Sequence, residues 1–129
     1  MGQADFESVF KELRLILRNE AAGMITAKDG PGFLELHAPW AHPTKPKMPM
    51  WFGAVRSGKA YVSFHLMPVY SHPRLLQGIS PALKKRIQGK SCFNFKTLDP
   101  GLLDELRKLT AEAARLYAKP CYFPGLDPK

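Results

Sequence analysis

The sequence predicts an α+β fold, a two-layer sandwich with two terminal helices packed on one face of a five-stranded antiparallel sheet. Three observations predict it. Apolar residues recur at spacings of three and four near both ends: Phe6, Val9, Phe10, Leu13, Ile16 and Leu17, then Leu102, Leu103, Leu106, Leu109, Ala113, Leu116 and Tyr117. Between these stripes the period falls to two, with glycine-bearing turns separating the alternating runs. The length, 129 residues, suits one domain, with 119–129 as a C-terminal tail.

The first helix is expected over about Ala4 to Ala22. Asp5 and Glu7 suit the positive end of its dipole, Gly23 is a natural stop, and Leu15 lies off the apolar stripe. A hairpin follows: Met24 to Lys28, a turn at Asp29-Gly30-Pro31-Gly32, then Phe33 to Ala38. Leu34, Leu36 and Ala38 alternate with Phe33, Glu35 and His37, so the aliphatic set is assigned to the core and the other set to the opposite face. Pro39, Pro43, Pro46 and Pro49 then predict an extended loop anchored by Trp40, because each proline removes a backbone donor.

Met50 to Met67 predicts the central hairpin, turning at Ser57-Gly58 with a positive φ at Gly58. Folding there pairs Val55 with Ala60, Gly53 with Val62 and Trp51 with Phe64. Trp51, Gly53, Val55, Ala60, Val62, Phe64 and Leu66 then form an apolar core face. Met50, Phe52, Ala54, Tyr61, Ser63, His65 and Met67 form the opposite face, aromatic and half polar. Beyond Pro68, Ser80-Pro81 starts a short helix to about Gln88, ended by Gly89. Ser91 to Phe95 is the fifth strand, with Phe93 and Phe95 on one face and Cys92 and Asn94 on the other. Asp99-Pro100 opens the last helix, which runs to about Ala118 before Pro120.

Charge is distributed unevenly. The net charge is +8, yet no acidic residue lies between Glu35 and Asp99. That interval holds Lys45, Lys47, Arg56, Lys59, Arg74, Lys84, Lys85, Arg86, Lys90 and Lys96. A cationic middle favours an anionic or neutral partner over a free cation. No apolar run reaches the roughly 18 residues of a membrane span, and the N-terminus lacks the basic-then-apolar pattern of a signal peptide. Cys92 and Cys121, without a CxxC pair, read as free thiols in a reducing cytoplasm.

The segments YVSFHLMPVY and SPALKKRIQGKSCFNF, with the PMWFG entry to the central hairpin, resemble the YdhG-like family of small bacterial proteins of unknown function. The likeness runs from about Phe6 to Tyr117. It implies a frataxin-like sandwich and, for some relatives, iron binding on an acidic ridge; it implies no catalytic residues. Here the acids of the first helix, Asp5, Glu7, Glu12 and Glu20, are interspersed with Lys11, Arg14 and Arg18.

The sheet face away from the helices is the candidate ligand-binding face: Glu35, His37, Phe52, Tyr61, Ser63, His65, Cys92 and Asn94. Its aromatic and methionine content marks a groove or an interface. The proline-rich loop, the tail or a second subunit could cover it. Non-enzymatic binding of a small molecule or protein partner is the first reading, by a monomer or homodimer without a cofactor. Nucleic-acid or anion binding through Lys84, Lys85, Arg86 and Lys90 is the alternative, and frataxin-like iron binding the second alternative. Cys92 beside His65 suggests a nucleophile pair by residue type, but no oxyanion donor accompanies it.

Overall fold

A computed structural model describes residues 2–21, 23–42, 45–88 and 92–119. The chain runs α1 (Gly2–Glu20), β1 (Ile25–Gly30), β2 (Phe33–His42), β3 (Lys45–Ser57), β4 (Val62–Leu66) and α2 (Met67–Ser71). A 3₁₀ turn (Pro73–Gly78), α3 (Pro81–Lys84), β5 (Ile87–Gln88), β6 (Cys92–Phe95) and α4 (Pro100–Leu116) complete it. The strands form one antiparallel sheet in the order β1-β2-β3-β4-β6-β5. The five expected strands are present, and the two-residue β5 adds an edge beyond them.

Both terminal helices cover one face. Val9, Leu13, Ile16 and Leu17 of α1 and Leu102, Leu103, Leu106, Leu109 and Ala113 of α4 are buried against Leu34, Leu36, Val55, Val62, Phe64, Phe93 and Phe95. Each Val, Leu, Ile or Phe side chain among them contributes about 1.5–3 kcal/mol on leaving water, so this layer carries the fold. Leu15 stands exposed off the stripe, as its position in the periodicity requires. Gly23 stops α1 with φ 86°, a conformation that favours glycine. Asp99 and Ser80 cap as their sequence context predicts, accepting from the backbone N–H of Leu102 and Leu83 respectively.

The central hairpin differs from expectation in register and in one inversion. Gly53 pairs with Leu66, Val55 with Phe64 and Ser57 with Val62. The strands therefore close over a longer turn, in which the Gly58 N–H donates to Tyr61 O. Gly58 does not adopt a positive φ; among the described glycines only Gly23 and Gly32 do. The pairing has slid by an even number of residues, so Gly53, Val55, Val62, Phe64 and Leu66 keep the face assigned to them.

Upstream of Gly53 the faces exchange. The register against β2 breaks between Leu36, which pairs with Gly53, and His37, which pairs with Trp51. Phe52 is the extra residue of this β-bulge, and a bulge reverses the alternation. Met50 and Phe52 are consequently buried in the core, while Trp51 turns to the open face. Glycine is required at 53 because a Cβ there would lie 2.5 Å from His65 O. Met67, also expected on the open face, begins α2 and packs partly buried against the core.

Two further expectations are corrected. The proline-rich stretch is paired strand for most of its length: Ala41 pairs with Pro49 and His42 with Lys45. Register breaks at His37/Ala41 and Ala41/His42 take up the prolines, which a regular ladder would exclude. The helix from Pro81 stops at Lys84 instead of Gln88. Ile87 then pairs with Phe93, where its β-branched side chain packs against the core at the sheet edge.

Candidate ligand-binding face

Cross-strand pairing assembles the open face in rows. One row runs Lys28, Glu35, Ala54, His65 and Cys92. The next runs Gly30, Phe33, Arg56, Ser63 and Asn94. On the other side of the first row, Ile25, His37 and Trp51 are partners. Residues directly opposite across strands touch on the same face, so these rows define which groups a ligand would meet together.

Of the residues expected here, Glu35, His37, Ser63, His65, Cys92 and Asn94 lie on the open face, half-buried, and Tyr61 flanks them at the turn into β4. Phe52 does not: the bulge buries it in the core against Tyr117, with ring centroids 6.1 Å apart. Trp51 takes its place, 6.0 Å from the His65 ring. The signal for this exchange was Gly53, since a glycine within a strand pattern marks a bulge or a close backbone approach. Trp40 anchors its segment on the helix side, donating from Nε1 to Tyr117 O at 2.8 Å and packing on that ring at 5.2 Å. That part of the proline-rich segment therefore leaves the open face uncovered. The tail from Pro120, Cys121 and Lys90 lie outside the described residues.

The middle of the face is polar but chemically quiet. Glu35 Oε2 and His37 Nε2 are 2.6 Å apart on one strand. Cys92 Sγ donates to Asn94 Oδ1 at 3.2 Å and lies 3.7 Å from His65 Nε2. Burial pushes the Cys92 thiol up, with Ser63 pulling partly against it. Burial also holds the His65 imidazole below its ordinary value, and the charge of Arg56 acts in the same direction. Both shifts favour the neutral thiol and neutral imidazole, the opposite of a thiolate–imidazolium pair.

The described residues assemble no iron site. Asp29 is held by Arg14 and Arg18, at 2.6 and 2.8 Å, and these arginines keep its carboxyl below the usual carboxylate range. Among the described residues, no group of three or more His, Cys, Asp and Glu side chains is arranged to hold a metal ion. No described helix is long and apolar enough to cross a membrane.

The hairpin end of the face is different. An open hollow of about 690 Å³ is lined by Arg56, Ser57, Gly58, Lys59, Ala60, Tyr61 and Ser63. A second, of about 390 Å³, is lined by Ala60, Tyr61, Lys85, Arg86, Asn94 and Lys96. They share Ala60 and Tyr61, so they adjoin at that turn, and together they are called the trough below. Five cationic side chains line it and no acidic one does. No ion pair among the described residues involves any of the five, whereas Arg14, Arg18 and Arg107 on the helices are all paired.

No family model, curated protein or solved structure matches this chain. The site is therefore defined by its own geometry. Lys85 and Arg86 are where the sequence set an anion site; Lys84 is exposed and lines neither hollow. Arg56, Lys59 and Lys96 were absent from that set. The signal that could have found them is their position flanking Tyr61 and Asn94, which register alone brings together. On the helix side, the hollow between the 3₁₀ turn and α4 contains Glu105, which accepts from the Ser80 N–H and hydroxyl at 2.7 Å each. That carboxylate extends the cap of α3 and is already satisfied.

Proposed function

We propose that this protein is a non-enzymatic binding module that takes an anionic ligand at the hairpin end of its open sheet face. The observation that carries the reading is the acid-free trough of Arg56, Lys59, Lys85, Arg86 and Lys96 around Tyr61. These cations have no ion-pair partner among the described residues, and cations on one concave surface raise the local potential and attract anions over a Debye length, about 8 Å at physiological salt. Ser63 and Asn94 supply neutral hydrogen-bonding groups beside them. The same charges favour an anion over a cation or a neutral molecule as the ligand. Membership of the YdhG-like family belongs to the same proposal and rests on the segments YVSFHLMPVY and SPALKKRIQGKSCFNF.

Calorimetric titration with inorganic tripolyphosphate at low salt tests the reading. The Lys85→Ala/Arg86→Ala variant should bind at least about tenfold more weakly, the scale of losing two charge-assisted contacts. Lys11→Ala/Arg115→Ala, which removes exposed charges from the two terminal helices, should bind as the parent does. Equal affinity for all three proteins would refute the trough as the site.

A further inference from the structure

We infer that the anionic ligand of this trough is single-stranded nucleic acid, an assignment that rests on the anion-binding reading above and deepens it. Three features distinguish a nucleic-acid strand from a small anion. The first is shape. Both hollows are open to solvent and adjoin at Ala60 and Tyr61. A site for a small ligand typically encloses most of that ligand's surface, whereas an open trough accepts a chain that enters at one end and leaves at the other. The second is the placement of charge. Arg56 and Lys59 lie along one hollow and Lys85, Arg86 and Lys96 along the other, so the cations extend over both instead of converging on one point. A strand bears its phosphates in the same distributed way.

The third is aromatic. Tyr61 is half-buried where the hollows meet, and Phe33 is the direct cross-strand partner of Arg56. Rings beside cations on an open sheet are the surface on which unpaired bases stack while the backbone is held electrostatically. Ser63 and Asn94 continue the Phe33–Arg56 row and present a hydroxyl and a carboxamide to base edges. A duplex has its base faces already stacked and offers nothing to Tyr61 and Phe33. The trough therefore selects strands over duplexes.

Fluorescence anisotropy with labelled oligonucleotides of about 12 nucleotides tests this. The probes are an oligodeoxynucleotide, an oligoribonucleotide and the matching duplex, with inorganic polyphosphate titrated in parallel. At least one single strand should bind tenfold or more tightly than the duplex. Five phosphate contacts at about −0.7 each give a log–log salt slope of about −3.5, roughly a 100-fold loss between 50 and 200 mM salt. Lys59→Glu/Lys96→Glu, two exposed sites that the fold does not need, should weaken binding and flatten that slope. Tyr61→Ala should weaken the single strand by about tenfold through lost stacking, leave polyphosphate unchanged, and be rescued by Tyr61→Phe. If strand and duplex bind alike and Tyr61→Ala changes neither, the nucleic-acid assignment is overturned while anion binding stands. Binding of polyphosphate without either single strand overturns it in the same way. If nothing binds at 50 mM salt, both the assignment and the anion reading fall.

Discussion

Gly53→Ala should destabilise this protein more than any other single methyl added to a glycine described here. The added Cβ would lie 2.5 Å from His65 O, with Leu17 and Leu66 side-chain atoms at 3.5 Å. Ordinary contact begins at 3.4 Å, so the oxygen would have to withdraw by about 0.9 Å. It cannot swing away, because it is backbone of β4, a central strand paired on both edges. The whole β3–β4 ladder must open, or the bulge at Phe52 must re-form elsewhere and take Trp51 and Phe52 with it. Overpacking of a core typically costs about 1–3 kcal/mol, and a backbone obstacle belongs at the upper end. At about 3–5 °C per kcal/mol for a domain of this size, about 3 kcal/mol lowers Tm by roughly 9–15 °C. Urea and thermal unfolding followed by far-UV circular dichroism measure it. Gly30→Ala is the control: a Cβ there meets nothing within 4 Å, so its stability should stay within about 0.5 kcal/mol or rise slightly. A Gly53→Ala protein as stable as the parent would refute the account of the bulge.

Other outcomes follow from the same structure. Trp40→Phe should cost about 1–2 kcal/mol in urea unfolding, since it removes the hydrogen bond from Trp40 Nε1 to Tyr117 O. His65 has its folded pKa below its unfolded one, so its contribution is fully present above about pH 6.5 and is lost as pH falls through the lowered folded value. His65→Gln should flatten stability across that acid window, and an unchanged profile would remove His65 as the cause. Asp29 is depressed by Arg14 and Arg18; its contribution holds above the ordinary carboxylate range and fades on acidification, so Asp29→Asn should reduce the steepness of acid unfolding. Alkylation of Cys92, read by mass spectrometry of its own peptide, should be slow at neutral pH and accelerate only in alkali.

Face assignment was legible from the sequence wherever alternation ran unbroken, and register was not. Leu34, Leu36 and Ala38, and Phe93 and Phe95, fall on the core face because a two-residue period leaves no other solution beneath two amphipathic helices. The β3–β4 register depended instead on where the chain reverses. Ser57-Gly58 has the composition of a tight turn, but the strands close around residues 58–61, and apolar residues at Val62, Phe64 and Leu66 accept any even slide equally well. Trp51, Phe52 and Gly53 failed for a different reason. A bulge depends on a contact between Gly53 and a residue on another strand, and periodicity within one strand contains no information about that contact.

The register slide also determines what the open face can attract. Had Gly53 paired with Val62, the turn would have been two residues long, with Ala60 and Tyr61 carried into the ladder. Closing further along leaves Lys59, Ala60 and Tyr61 in the turn, with Arg56 opposite Ser63 and Ser63 opposite Asn94. Lys85, Arg86 and Lys96 flank β5 and β6 at the same end of the sheet. The acid-free interval thus becomes a surface feature only through this pairing. Glu35, the nearest acid in the chain, lies one row back on the face and is occupied by His37. The cations at the hairpin end have no ion-pair partner among the described residues, whereas Arg14 and Arg18 on α1 hold Asp29 and Arg107 on α4 holds Asp104. On the proposed reading, what suits these charges to recognition is their place on one concave surface beside Tyr61, Ser63 and Asn94, which can give a ligand its orientation.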